Sequence, residues 1–401
     1  MIQNRRTYQL IDCKAHSRLL AYAAAGCAAA CSYADLALQA LRRAAPLPGT
    51  AGQARSALEA VYPKPASDAA WPPLPPLDPA VELSVIVPVY NGEKTLKACL
   101  ESILQQDAGC TVQLIVVDSD STDGTAAILQ HYQNQSRPGV VLVNCRSPRS
   151  AAAARNEGLL HAVGRRVMFV DSDDVLLPGA VRTLLEAAER LQADIVQGGW
   201  QYLYPDDTRG ATQTYADAIY TGTAALDRFD LPGMPWGKVY RRELFEAIRF
   251  PSHYTCFEDT IIHFLVFRTA KKVASVPQTV YLWRKSPAGL TSTCQHRPAA
   301  VQSYWIMEEL LAQDAALGLA HDALYACSLT LQLSAFCHDT VSGLSEEVQQ
   351  EIFRLCCELY ARALPQAAQQ ALPRRAAWAA RALRERNFAL WCRYGKRFRL
   401  L

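Results

Sequence analysis

Between residue 83 and about residue 200 two patterns alternate along the chain. Short apolar runs rich in β-branched residues, at Leu83–Val89, Val112–Val117, Val140–Val143, Arg166–Val170 and Asp194–Gly198, read as strands. Between them apolar residues recur at helical spacing, over Lys94–Gln106, Asp123–Gln133, Ala151–Val163 and Gly179–Leu191. Strands that are apolar on both faces and alternate with helices imply a parallel sheet covered on both sides, and so an α/β fold.

Both flanks differ from this middle. Residues 1 to about 45 read as helical and lead into a tract ending Trp71-Pro72-Pro73-Leu74-Pro75-Pro76-Leu77-Asp78-Pro79, which reads as a semi-rigid linker because proline favours extended geometry. After residue 297 the spacing is helical again, over Ala299–Ala315, Ala320–Phe336 and Glu346–Ala363. The expected division is 1–80, 81–296 and 297–401. A helix is also read at about Glu258–Ala270, and the Arg374–Arg399 tail reads as a basic amphipathic segment. In that tail nine Lys/Arg face one glutamate and are interleaved with aromatic and leucine residues.

Composition changes the picture little. The chain has 401 residues, half of them hydrophobic and 20% charged, enough for a large core and two or three domains, and its net charge of +3 does not argue for nucleic acid. Thirteen cysteines are scattered without CxxC pairs or zinc spacing, which favours reduced thiols in a cytosolic enzyme; Cys27, Cys31, Cys356 and Cys357 carry no assigned chemistry. His253 and His263 likewise lack partners at ligand spacing. No apolar run reaches the roughly 18 residues needed to span a bilayer. The stretch Leu19–Cys31, behind Lys14 and Arg18, is mostly alanine, and no cleavage site follows it before the helical Tyr33–Arg43, which speaks against export.

The chemistry sits where the strands end. The first strand stops at Pro88-Val89-Tyr90-Asn91-Gly92, the second at Asp118-Ser119-Asp120-Ser121-Thr122-Asp123-Gly124 and the fourth at Asp171-Ser172-Asp173-Asp174. In an open α/β sheet ligands bind at the carboxyl ends of strands, and a D-x-D pair suits a hard cation that also takes substrate phosphates. Turn and N-cap propensity accounts for Thr122 and Asp123 but leaves Asp118, Asp120 and the Asp171 cluster unexplained. An EF-hand is excluded, because loop positions six and twelve counted from Asp118 hold Asp123 and Leu129. Neither G-x-G-x-x-G nor a P-loop follows the first strand, so nucleotide recognition falls to side chains.

Leu83 to Asn91, Asp118 to Thr125, Ala154-Arg155-Asn156-Glu157-Gly158 and Asp171 to Asp174, in this order, resemble the family 2 glycosyltransferases of GT-A fold. Trp236 to Arg242, Phe257-Glu258-Asp259 and Tyr281-Leu282-Trp283-Arg284 are similar to the acceptor-side segments of bacterial members that build surface polysaccharides. The resemblance covers about residues 83–294. It implies a GT-A catalytic domain over 81–296. It also implies transfer of a hexosyl or N-acetylhexosaminyl group from a nucleotide-diphosphate donor, commonly a UDP-sugar, to a hydroxyl of a glycan or lipid-linked acceptor with inversion.

On that resemblance Asp173 is the direct ligand of a Mn2+ or Mg2+ ion, with Asp171 on the ribose or in the metal shell. Asp259 matches the general base, paired with Glu258 at a helix start whose dipole is expected to keep both carboxylates ionised. Pro88, Tyr90, Asn91, Asp118, Ser119, Asp120, Arg155 and Ser172 face the nucleotide-sugar. Ser119 stands where relatives often carry a second aspartate, which loosens the preference for uracil. Arg155 has three readings: a nucleotide contact, a partner of a tip aspartate, or a helix-surface residue. Trp236 is either a stacking platform for a sugar ring or a core tryptophan, while Lys238 and Arg284 screen diphosphate charge.

Basic amphipathic helices lie on anionic membranes, so the Arg374–Arg399 tail points to the inner face of the cytoplasmic membrane. A basic helix packed on its own protein and an oligomer contact are the alternatives; no nucleic-acid module accompanies it. Two other functions remain open, a non-catalytic nucleotide-sugar or glycan-binding protein of this fold and a nucleotidyltransferase. The latter should show a Gly-rich basic loop after the first strand, and Asn91–Lys94 supplies none.

Overall fold

A computed structural model describes residues 36, 47, 49–68, 70–134, 140–144, 150–285, 294, 297–364 and 372–397. The readings at Leu19–Cys31, at Tyr33–Arg43, of which only Leu36 is described, and at residues 398–399 lie outside them. The chain forms two compact units, one of Pro65–Ser292 with Glu308–Leu319, the other of Met1–Lys64, Thr293–Met307 and Ala320–Leu401.

In the first unit ten strands form one sheet: β1 (Leu83–Val89), β2 (Val112–Asp118), β3 (Val140–Asn144), β4 (Arg166–Phe169), β5 (Val175–Leu176), β6 (Ile195–Leu203), β7 (Arg209–Gln213), β8 (Ala218–Tyr220), β9 (Lys238–Arg241) and β10 (Val273–Arg284). The order is β3-β2-β1-β4-β9-β6-β10-β5, with β7 on β6 and β8 on β10. β3, β2, β1 and β4 are parallel neighbours, as are β6 and β10; β9 is inserted antiparallel between β4 and β6. Every residue of β1 is buried, because helices cover both faces of the sheet. Its one polar member, Ser84, is satisfied by donating to Gln113 Oε1 (2.6 Å) and accepting from Gly164 N (2.9 Å).

The five strands read from the sequence are present, and their helices occupy Leu96–Leu104, Thr125–Asn134, Ala151–Leu159 and Ala180–Leu191. The last shows why: Ala180, Val181, Leu184, Leu185, Ala187 and Ala188 make one buried face at three- and four-residue spacing. The helix Ala151–Leu159 starts at Ser150, whose Oγ accepts from Ala153 N. Its small residues let it lie directly on β1, where a Cβ on Gly158 would stand 2.4 Å from Ile86 Cγ2.

The proline tract is not a free spacer. Carbonyls that extended geometry leaves unbonded accept from buried arginines, Arg242 Nη1 to Pro75 O (2.7 Å) and Arg249 Nη2 to Pro72 O (3.2 Å). Asp78 N donates to Val163 O (2.9 Å), and Asp68 accepts from Ser252 N (2.7 Å). The tract is thereby strapped along the sheet unit.

In the second unit the helix Ala51–Val61, opened by a Thr50/Gln53 capping box, packs on Glu346–Ala363. The basic tail forms two helices, Arg374–Arg384 and Phe388–Arg397. Here an expectation fails: the apolar side assigned to a membrane is consumed within the unit. Leu383, Leu390, Trp391 and Tyr394 are buried, and Trp391 Nε1 donates to Leu333 O (3.1 Å). No helix among the described residues is long and apolar enough to cross a membrane. Cys256 and Cys294 are each disulfide-bonded, contrary to the expectation of reduced thiols; scattered spacing carries no signal of which sulfurs meet in space. Cys356 and Cys357 are free and buried.

Candidate functional site

The β1 and β2 tips are stitched together by their own polar groups. Ser119 N donates to Val89 O (2.9 Å), Asn91 N to Ser121 Oγ (2.9 Å) and Thr122 N to Asn91 Oδ1 (2.8 Å). Asp118 Oδ1 accepts from Ser121 N (3.1 Å) and Ser121 Oγ (2.6 Å). Asn91 and Asp120 take left-handed backbone, φ 53° and 63°, a conformation that asparagine and aspartate tolerate better than most residues. Tyr90 is 54% exposed at the lip, whereas Pro88 and Ser119 are buried. The expected nucleotide-facing residues therefore share one edge, but Asp118 and the Asn91 carbonyl already serve to hold that edge in shape.

The β4 tip carries the aspartates. Asp171 N donates to Tyr281 Oη (3.1 Å), fixing the start of the turn, and Asp174 is buried with Oδ1 accepting from Arg284 N (2.7 Å). Asp174 is thus an anchor between the turn and β10. Asp171, Ser172 and Asp173 remain half-exposed. Burial, and then the charge of Asp171, push the Asp173 carboxyl up to about 6. A cation between the two carboxylates would relieve that repulsion, and hard oxygen donors suit Mn2+ or Mg2+. Among the described residues no group of three or more His, Cys, Asp or Glu is arranged to hold an ion. The fit is that of a two-carboxylate ledge whose coordination a substrate's phosphates would complete.

Phe257 has φ 67°, an unusual strain for an aromatic residue, immediately before Glu258 and Asp259. Glu258 Oε1 accepts from Arg155 Nη1 (2.8 Å), and Arg155 Nη2 donates to Asp171 Oδ1 (2.9 Å). One guanidinium, 4% exposed, thus joins the turn after β4 to the segment before the next helix. Burial alone would lower its pKa, but Asp171 and Glu258 outweigh that and raise it.

Asp259 is half-buried, and its carboxyl is pushed up to about 7 by burial, then by Glu258, against the opposing charge of Arg155. The expected dipole effect is therefore overridden at Asp259: desolvation and a neighbouring carboxylate exceed the few tenths to about 1 kcal/mol that a helix N-terminus offers. The helix beyond is also irregular, with a π-wound turn over Ile262–Val266. His263 is structural, its Nε2 2.8 Å from Leu231 O, and His253 is exposed beside Asp68 (3.5 Å).

Three expected ligand-facing residues are placed otherwise. Trp236 is buried, its ring stacked on Tyr281 at 4.7 Å and 5°, so its face is taken by protein. Lys238 is fully buried, with Nζ donating to Met234 O (2.6 Å); burial drives its pKa well below the usual lysine value despite the pull of Asp259. It holds the 234–237 loop and does not face a diphosphate. Arg284 does reach the aspartate turn, but at its backbone: Nε donates to Asp173 O (2.9 Å), while Nη1 is paired with the Asp207 carboxylate (3.2 Å).

Sequence reasoning picked out Tyr281 only as a motif member and gave it no role, though it links Trp236 to the Asp171 turn; it missed Lys285, whose Nζ lies 4.3 and 4.4 Å from the Tyr202 and Trp283 ring centres. It also missed Asn156, which exchanges two hydrogen bonds with the Phe250 backbone, Nδ2 to the carbonyl (2.7 Å) and N to Oδ1 (2.9 Å). For Asn156 a signal existed, since it sits inside the Ala154–Gly158 motif. Lys285 had none beyond its place next to Arg284.

Comparison with known proteins bears on the family and the fold. Residues 84–249 match the family described as Glycosyl transferase family 2. The chain is 29% identical over 227 residues to the uncharacterized glycosyltransferase EpsJ of Bacillus subtilis (strain 168), covering 54% of this chain and 64% of that one. It is 28% identical over 293 residues to glycosyltransferase GlyA of Streptococcus pneumoniae serotype 4, covering 68% and 40%. Under two thirds of each relative is therefore spanned. Among solved structures, S. aureus TarS 1–349 in complex with UDP superposes with a TM-score of 0.60 at 20% identity, over 79% of this chain and 90% of that one. A second TarS 1–349 structure, in complex with UDP-GlcNAc, has the same TM-score. The fold is that of the GT-A glycosyltransferases.

Proposed function

We propose that this chain, whose residues 84–249 match glycosyl transferase family 2, transfers a sugar from a UDP-sugar to a hydroxyl of a glycan or lipid-linked acceptor, with inversion at the anomeric carbon. One observation carries the reading. The Asp171 turn and the Glu258–Asp259 segment, far apart in sequence, are joined by a single buried guanidinium, so a donor-side acid pair and a carboxyl of pKa about 7 belong to one site.

An acceptor hydroxyl is a weak nucleophile at neutral pH. Asp259 takes its proton as the oxygen bonds to the anomeric carbon, and the bond from that carbon to the diphosphate oxygen breaks with its electron pair leaving on the nucleotide. A carboxyl near 7 is suited to this, being ionised often enough to act and basic enough to accept the proton. The β1 and β2 tips hold the nucleoside, with Tyr90 at the lip and Asp118 and Ser119 beneath. Asp173 and Asp171 would hold a Mn2+ or Mg2+ ion, which when bound supplies Lewis-acid neutralisation of the leaving diphosphate. The choice of UDP follows the nucleotide that TarS binds on this fold, and membership in surface-polysaccharide synthesis follows the sequence resemblance.

The test is nucleotide release from UDP-, GDP- and dTDP-sugars, with and without EDTA, water or added glycans serving as acceptors. Release from a UDP-sugar that EDTA abolishes is expected. Tight binding of nucleotide-sugars with no release from any of them, whatever the acceptor, would favour the binding-protein reading.

A further inference from the structure

From the bonding around Arg155 we infer that it is a positioning residue and not a nucleotide ligand: it sets the height of the general base relative to the donor carboxylates. The inference rests on the proposed function and adds a part to it.

Both terminal nitrogens of the guanidinium are committed to protein carboxylates, Nη1 to Glu258 at 2.8 Å and Nη2 to Asp171 at 2.9 Å. The residue is 4% exposed, and its Cζ lies over the Phe250 ring, 5.5 Å from the centroid. An arginine so enclosed presents no terminal donor pair to a phosphate or a base, the feature for which nucleotide-binding proteins use this side chain. Its helix repeats the same attachment at two other points. The side-chain amide of Asn156, the next residue, donates to the Phe250 carbonyl and accepts from the Phe250 N–H, and Ser150 Oγ donates to Ser252 O (2.5 Å). Ser150, Arg155 and Asn156 thereby pin the 250–258 segment to one short helix, Ala151–Leu159, which is itself seated on β1 through Gly158.

The arginine bond is the one that reaches a candidate catalytic element at each end. Asp171 stands beside Asp173, and Glu258 precedes Asp259, whose backbone follows the strained Phe257. A buried pair that loses its cation leaves two carboxylates facing each other without compensation, so both ends would shift. Glu258 is on this account a strut and not a second base. A displacement of about 1 Å at a reacting group costs on the order of 10²-fold in rate without loosening the ground-state complex.

The experiment uses the full chain and three variants, Arg155→Lys, Glu258→Gln and the double, each assayed for UDP release, donor KM and UDP affinity by calorimetry with Mn2+. Lysine keeps the charge but cannot span two carboxylates. Arg155→Lys is expected to lower kcat about 10- to 100-fold while donor KM and UDP affinity stay within about twofold. The double variant is expected to be no slower than Arg155→Lys alone, because both changes cut one link. A tenfold or greater loss of UDP affinity in Arg155→Lys, or a double variant whose loss is the product of the single losses, overturns the inference. If the wild-type protein releases nucleotide from no donor, the proposed function fails on its own. The link is then read from melting temperatures of the same four proteins, where non-additive shifts support it and additive shifts overturn it.

Discussion

At the scale of single residues, the titration of Asp259 is the most informative property of the site. Folding raises this carboxyl from the ordinary aspartate range to about 7, chiefly by burial and then by Glu258. A carboxyl raised in this way favours the protonated form of the folded protein. Its contribution to stability is full below about pH 4 and is lost as pH rises through about 7. The melting temperature of the wild type should therefore fall more steeply between pH 5 and pH 8 than that of Asp259→Asn, which does not titrate there. If Asp259 is the base, as proposed, the same group sets activity with the opposite sense. We expect kcat/KM to rise about tenfold per pH unit up to about 7 and then level off, and a profile flat from pH 5 to 8 would remove Asp259 from the proton transfer. Asp259→Asn should lower kcat by about 10²- to 10⁴-fold while UDP binds as before, measured by release assay and calorimetry. On the proposed mechanism, stability is in this way given up at a residue whose charged form the reaction uses.

At the scale of elements, the helix Ala151–Leu159 governs geometry. Its seat on β1 depends on the missing side chain of Gly158, so Gly158→Val should force Ile86 or the helix aside. A cost of about 1–3 kcal/mol is expected, seen as a melting temperature lower by several degrees, with activity falling further than stability because Arg155 and Asn156 ride on the same helix. An unchanged melting temperature would contradict the close approach of this helix to β1. This helix also shows how far the sequence was legible. Leu83–Val89 was readable to the residue, because a strand buried on both faces leaves a continuous apolar run. β10 was not, because Pro277 and polar neighbours interrupt its twelve residues and its register shifts between Ser275 and Thr279. β9 is four residues long and antiparallel in a mostly parallel sheet, and nothing local distinguishes it from a turn. The aspartates at the strand ends were visible because they cluster where strands stop, but which of them serve structure, as Asp118 and Asp174 do, was not. The fates of Trp236 and Lys238 were not, because one motif can deliver a side chain to a cleft or to the core, and only tertiary packing decides between them.

At the scale of the whole molecule, charge and burial separate two functions that one amphipathic pattern had merged. The helices Arg374–Arg384 and Phe388–Arg397 bury their apolar residues within their own unit and leave Arg384, Arg386, Arg393 and Lys396 exposed. Arg386 is paired with Glu358 at 2.7 Å. Contact with an anionic membrane would therefore be electrostatic. Any binding to vesicles of phosphatidylglycerol should vanish at about 0.5 M salt, where the screening length is only a few ångströms, and Trp391 fluorescence should not shift on binding. Salt-resistant binding with a blue shift would mean that the tail leaves its packing and inserts. The central claim concerns the sheet unit, namely that Asp171 and Asp173 grip the diphosphate while Asp259 acts on the other substrate. Calorimetric titration of UDP into the wild-type, Asp173→Ala and Asp259→Asn proteins, in Mn2+ and in EDTA, tests it most directly. The account predicts Mn2+-dependent binding that weakens at least tenfold in Asp173→Ala and is retained in Asp259→Asn; equal affinity in EDTA and in Mn2+, undiminished by Asp173→Ala, would contradict it.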